Sequence, residues 1–113
     1  MNALTIIIYF TGVSFITYGI NSFVSKRMIN EFKRWGLEDK RKIIGICQFI
    51  AGTGIILGSE FKTVLISSAI FIIIMMIVAI GVRIRVRDDI SDVLPAIAYI
   101  MLCLVILYET INI

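Results

Sequence analysis

The chain has 113 residues, room for one domain at most. It is 59% hydrophobic with a mean hydropathy of +1.00, too apolar for a soluble domain of this size, and only 17% is charged. The net charge of +3 is modest, but its distribution in two clusters points to an anionic membrane face and away from nucleic acid.

The absence of histidine removes His-ligated haem, the usual zinc sites and His-based acid–base chemistry. No metal site is expected. The two cysteines, Cys47 and Cys103, lie in separate apolar runs and read as small core residues. A disulfide between them would need both at one depth on facing helices.

The first apolar run, about residues 3–24, reaches ~33 Å as a helix, enough to cross a bilayer. No Lys or Arg precedes it and no A-x-A-like site follows, so a retained helix is expected. Thr11, Ser14, Tyr18, Asn21 or Ser22, and Ser25 recur at helical steps on one face. Gly12 and Gly19 form a second, small-residue stripe. The polar face reads either as packing or as the lining of a small polar cavity around Ser14, Tyr18 and Asn21.

Residues 25–42 are the longest water-compatible stretch and carry Lys26, Arg27, Lys33, Arg34, Lys40, Arg41 and Lys42. Met28, Ile29, Phe32 and Trp35 fall at helical spacing within it. This predicts a short amphipathic helix in the headgroup region, with Lys26, Arg27 and Trp35 as interfacial anchors. Gly36 is its stop.

The second run, about residues 43–58, is short for a span and rich in glycine. Gly45, Gly52, Gly54 and Gly58, with Cys47 and Ala51, give small-x-x-x-small steps. These predict close helix packing, and Gly12, Gly19, Gly45, Ala51, Gly54 and Gly58 are the candidate packing positions. Gln48 is the one strongly polar side chain deep in this run. Burying an unpaired amide is costly, so a partner on the first helix's polar face is expected.

After a short turn, residues 63–82 form the most apolar run, with no polar side chain after Ser68. Arg83, Arg85 and Arg87 then alternate ahead of Asp88, Asp89 and Asp92, and Arg83 and Arg87 are further candidate anchors. Ser91 or Asp92 is the expected cap of a fourth helix, about 93–109, with Pro95 in its first turn. Tyr99 and Cys103 lie one turn apart on it.

The expected fold is therefore all-α: a polytopic membrane protein with four transmembrane helices in an antiparallel bundle, and an amphipathic interfacial helix between the first two. Loops 25–42 and 83–92 hold seven and three of the eleven Lys and Arg residues, and Lys62 is the eleventh. The positive-inside rule then places both loops in the cytoplasm and both termini outside. No Asp, Glu, Lys or Arg lies within the four apolar runs, the last taken as 93–108, which argues against proton-coupled transport. The small multidrug transporters share this size but depend on a Glu in the first helix, which is missing here.

Gly12, Phe15, Tyr18 and Gly19 spell G-x-x-F-x-x-Y-G. Phe32 follows, then Trp35–Leu37 as W-G-L, Gly45, the polar Gln48, Leu57–Gly58, and Asp92 to Pro95 as D-x-x-P. This pattern resembles the DoxX-like family of four-helix membrane proteins, in which a Glu often stands at the place of Gln48. The resemblance implies a small integral protein of a bacterial inner membrane, often an accessory subunit. Some relatives serve quinone-linked sulfur oxidation, and others redox homeostasis or membrane-protein assembly.

Three functional expectations follow. The first is a non-enzymatic accessory or scaffolding protein that joins copies of itself or other membrane subunits through its small-residue faces, including those of a membrane oxidoreductase. The second is a binder of a small lipophilic molecule such as a quinone, serving a redox partner, in a pocket of Ser14, Tyr18, Asn21, Gln48 and Tyr99. The third is a channel or transporter. No cofactor other than a quinone is expected.

Overall fold

The computed structural model describes residues 3–111. Five α-helices follow one another: α1 Ala3–Val24, α2 Lys26–Arg34, α3 Arg41–Leu57, α4 Lys62–Arg85 and α5 Ile90–Ile111, with a 3-10 turn at Glu38–Lys40 before α3. Among the described residues there is no strand.

Each boundary has a local cause. Ser25 leaves the helical region at φ −79°, ψ 122°, and its Oγ accepts a hydrogen bond from the Met28 N–H. A capping serine therefore ends α1 and starts α2. Gly36 closes α2 at φ +76°. Its N–H bonds the Lys33 carbonyl and the Leu37 N–H bonds the Phe32 carbonyl, a paired closure that needs a left-handed residue.

α4 ends the same way without a glycine. Arg87 takes φ +62°, the Arg87 N–H bonds the Ile84 carbonyl, and the Asp88 N–H bonds the Arg83 carbonyl. A left-handed arginine costs about 1–2 kcal/mol. It turns Asp88 back over the end of its own helix.

Two helix starts differ from expectation by two residues or more, and α4 runs three residues further, to Arg85. α3 starts at Arg41, two residues early, because the 3-10 turn leads directly into it and the Arg41 guanidinium bonds the Ser22 and Phe23 carbonyls at the open end of α1. α5 starts at Ile90, ahead of the expected Ser91 or Asp92 cap. The Asp92 N–H closes on the Asp89 carbonyl at 3.0 Å, so the tight opening turn forms before the predicted cap. Pro95 then lies inside the helix.

Four spanning helices are predicted, and three satisfy length and composition: α1, α4 and α5. α3 has 17 residues, about 25 Å, which is short of a hydrocarbon layer of about 30 Å. Around these helices large apolar side chains face outward. Examples are Ile6, Phe10 and Val13 on α1, Ile74 and Ile77 on α4, and Met101 and Leu104 on α5. So much exposed hydrocarbon is a surface made for lipid.

α1 packs most extensively on α3, and α4 on α5; α3 meets α4, and α1 meets α5. The core gathers Ile8, Phe15, Ala51, Ile55, Leu65, Ala69, Ile72, Cys103 and Ile106 from all four long helices.

The α1–α3 seam is a backbone contact. A Cβ on Gly52 would lie 2.6 Å from the Gly12 carbonyl oxygen and 2.8 Å from Ile16 N. One on Gly19 would lie 2.8 Å from both the Gly45 oxygen and Phe49 N. Gly12 thus meets Gly52 and Gly19 meets Gly45, which sets the two helices antiparallel. Gly58 is pressed on the Leu65 backbone, and a side chain on Gly54 would strike Ser68. Ala51 is buried in the core. These seven small residues all make close contacts within the chain.

Candidate functional site

Two polar features emerge, at different places. The first is an open groove of about 630 Å³ on the α1 flank where α5 approaches, lined by Ile6, Tyr9, Phe10, Val13, Ser14, Thr17, Tyr18 and Tyr99. Ile6, Phe10, Ser14 and Tyr18 form a helical row along α1, with Tyr99 facing them from α5. Volumes of this order hold small organic ligands.

The groove wall is aromatic. Phe10 stacks on Tyr99 at 6.2 Å between centroids, tilted by only 15°. Phe15 meets Tyr99 edge-on at 5.1 Å, and Tyr18 meets Tyr99 at 5.9 Å. Such edge and offset contacts fix ring orientation, each worth about 1 kcal/mol.

The hydroxyl groups decide what the groove can do. Ser14 Oγ donates to the Phe10 carbonyl at 2.7 Å, and Thr17 Oγ1 to the Val13 carbonyl at 2.9 Å. Their protons are spent on their own helix. The Tyr18 and Tyr99 hydroxyls stand 3.5 Å apart. Two phenols joined by one bond keep one proton free, together with acceptor lone pairs. That proton and the ring faces are what the groove offers to a ligand.

Of the five residues expected to share a pocket, Ser14, Tyr18 and Tyr99 do. Gln48 does not. It lies across the α1–α3 seam, where its Oε1 is 2.9 Å from the Oγ of the buried Ser22, which also reaches the Tyr18 carbonyl at 3.0 Å. The amide thus finds its partner on α1, as its burial demanded. Asn21 is half-buried and does not line the groove. Ile6, Tyr9, Phe10, Val13 and Thr17 complete the lining. Their signal was their place on the Ser14–Tyr18 face, hidden because Phe10 looks like one more lipid-facing residue.

The second feature joins the two basic loops at one end of the molecule. Arg34 grips Asp88 with both nitrogens, at 2.6 and 3.2 Å, and also bonds Glu31. Arg83 adds a bond to Asp88 at 3.1 Å. The Asp88 side chain is only 8% exposed. The bond from Arg34 holds its carboxyl below the usual aspartate range, helped by the charges of Arg34 and Arg83, while desolvation opposes the shift.

Trp35 completes this joint. It is 9% exposed, edge-on to Phe32 at 5.1 Å, with the Arg83 guanidinium 4.9 Å over its ring. Arg85 bonds its carbonyl oxygen. The ring is therefore turned inward beneath arginine, not outward into headgroups as an anchor would be. Lys26, Arg27 and Arg87 are exposed, whereas Arg83 is half-buried and engaged.

Cys47 and Cys103 are both free. Among the described residues no group of three or more acidic or cysteine side chains could hold a metal ion. The groove has ring faces and hydroxyls suited to a quinone-like head, but its residues show no dedicated cradle for one.

The family comparison agrees with the fold. The model of the DoxX-like family matches residues 3–106, nearly the whole chain. No curated protein and no solved structure matches it. The polar stripe of α1, the glycine seam and all of the helices but the last turn of α5 fall inside the matched stretch, and the chain belongs to the DoxX-like family.

Proposed function

We propose that this protein binds a small, flat, lipid-soluble molecule with a hydrogen-bond-accepting oxygen, of which a quinone is an example, in the α1–α5 groove. The observation that carries this reading is the Tyr18–Tyr99 hydroxyl pair set in an aromatic wall open to the lipid side. The protein acts as a carrier or presenting subunit for a redox partner and performs no reaction of its own.

In the same reading α3 also crosses, as the fourth member of an antiparallel bundle. The membrane thins locally and Lys42 reaches to the interface. The joined basic loops face the cytoplasm of a bacterial inner membrane and both termini face outward.

Titration of the detergent-solubilised protein with a short-chain quinone, followed by thermal unfolding, tests the binding. A saturable rise in Tm is expected, since a ligand at a hundred times its Kd adds about 2.7 kcal/mol. Tyr18→Phe with Tyr99→Phe should weaken binding about tenfold, the worth of roughly one hydrogen bond. A flat titration of the wild type rejects the reading. The accessory-subunit reading would then lead, with a docking surface other than the glycines of α1 and α3.

A further inference from the structure

A second groove lies on the opposite side of the glycine seam from the core. It measures about 260 Å³ and is lined by Gly19, Ile20 and Phe23 of α1 and by Ile46, Phe49 and Ile50 of α3. Its lining is wholly apolar. At Gly19 the two backbones touch, and the outward Ile and Phe side chains on either side of that contact leave a channel between them.

The groove has a direction. It follows the last turns of α1 and the first turns of α3, so it runs toward the basic end. Two cations stand there. Arg41 donates to the carbonyl of the lining residue Phe23 at 3.3 Å and to that of Ser22. Its guanidinium has further donors beyond those used.

Lys42 is the other. It is exposed and makes no ion pair with Asp39 or any other carboxylate among the described residues. It precedes Ile46 by four residues, Phe49 by seven and Ile50 by eight, so it continues the stripe that lines the groove. Its butyl stem can lie along that stripe while the ammonium stays at the interface.

The arginines of α4 offer no equivalent. Arg83 is held by Asp88 and stacked on Trp35, and Arg85 is bonded to the Trp35 carbonyl. The α1–α3 face thus joins a concave apolar track to an uncommitted cation on the same stripe.

From this juxtaposition we infer that the α1–α3 seam is a binding site for one anionic phospholipid, with an acyl chain in the Gly19–Phe23–Phe49 groove and its phosphate between Arg41 and Lys42. A second copy of the chain fits the face less well. A twofold contact would bring two Lys42 side chains toward each other at one depth, and like charges there oppose association.

Native mass spectrometry of the full chain in detergent tests the site, with phosphatidylglycerol and phosphatidylcholine of identical acyl chains as probes. One phosphatidylglycerol should be retained per chain with about tenfold preference, as one charge-assisted contact gives. Lys42→Glu should abolish the preference, whereas Lys40→Glu, the same change in charge off the stripe, should preserve it. Ile46→Trp, which fills the groove, should reduce retention of both lipids. The site is refuted by a wild type without preference, by a Lys42→Glu variant that keeps it, by equal losses in the two charge variants, or by unchanged retention in Ile46→Trp. Unaltered elution volumes for all variants show that they are folded.

Discussion

Gly52→Ala drives α1 and α3 apart and lowers Tm by about 10–20 °C, the result expected of overpacking worth about 3 kcal/mol. The added methyl meets the Gly12 oxygen at 2.6 Å and Ile16 N at 2.8 Å, and both are backbone. Side chains escape a clash by changing rotamer, but two helix backbones can only separate. Separation also loosens Ser22 from Gln48, and in lipid neither group finds water as a substitute. Gly81→Ala is the matched control. A Cβ at Gly81 meets nothing within 4 Å, and alanine is the better helix former by about 1 kcal/mol, so Tm should hold or rise. Circular dichroism of both variants in one detergent decides. Equal Tm values would mean that the seam carries no special tightness.

Asp88→Asn produces the second large effect, at the other end of the molecule. It removes the charge that holds Arg34 and Arg83 together and so frees α2 from the turn between α4 and α5. Trp35 reports on it directly, because it is the only tryptophan in the chain. Its emission should shift to the red and become more accessible to a soluble quencher. The pH dependence has a definite sign. The Asp88 carboxyl is held below its ordinary value by Arg34, so the joint is fully present above the ordinary aspartate range of about 4. It is lost as pH falls through the lowered value. Wild type at neutral pH should thus be indistinguishable from wild type at pH 5. Only strong acid should give the spectrum of Asp88→Asn. An unshifted Trp35 spectrum in the variant would show that the joint does not depend on this carboxylate.

Much of the fold was legible in the chain. Apolar runs placed the long helices to within a few residues, and the spacing of Met28, Phe32 and Trp35 marked α2. Gln48 announced a need for a partner, and Ser22 meets it. Other features depend on which elements come together in space, and periodicity does not encode that. Arg34 and Asp88 are 54 positions apart, so nothing local distinguishes their pairing from an ordinary solvated charge. Trp35 looks like an interfacial tryptophan until Arg83 is seen to cover it. The glycines were legible as packing residues, but whether they served this chain or another one was not. Of the eight residues that line the groove, Ser14, Tyr18 and Tyr99 were legible as polar or aromatic positions in apolar runs, whereas Ile6, Tyr9, Phe10, Val13 and Thr17 were not.

The pairing of helices also bears on biosynthesis. The seam that joins α1 to α3 lies entirely within the first 58 residues, and α4 with α5 makes up a second hairpin of neighbours. Local pairings of this kind form early and need no distant strand of chain to wait for. The amino-terminal hairpin is thus expected to lock while the ribosome is still translating the other one. Cysteines placed at Ile20 and Phe49, which both stand outward on the α1–α3 groove, joined by a short bifunctional reagent in chains stalled after α3 has emerged, would reveal that order; a crosslink that forms only in full-length chains would reverse it.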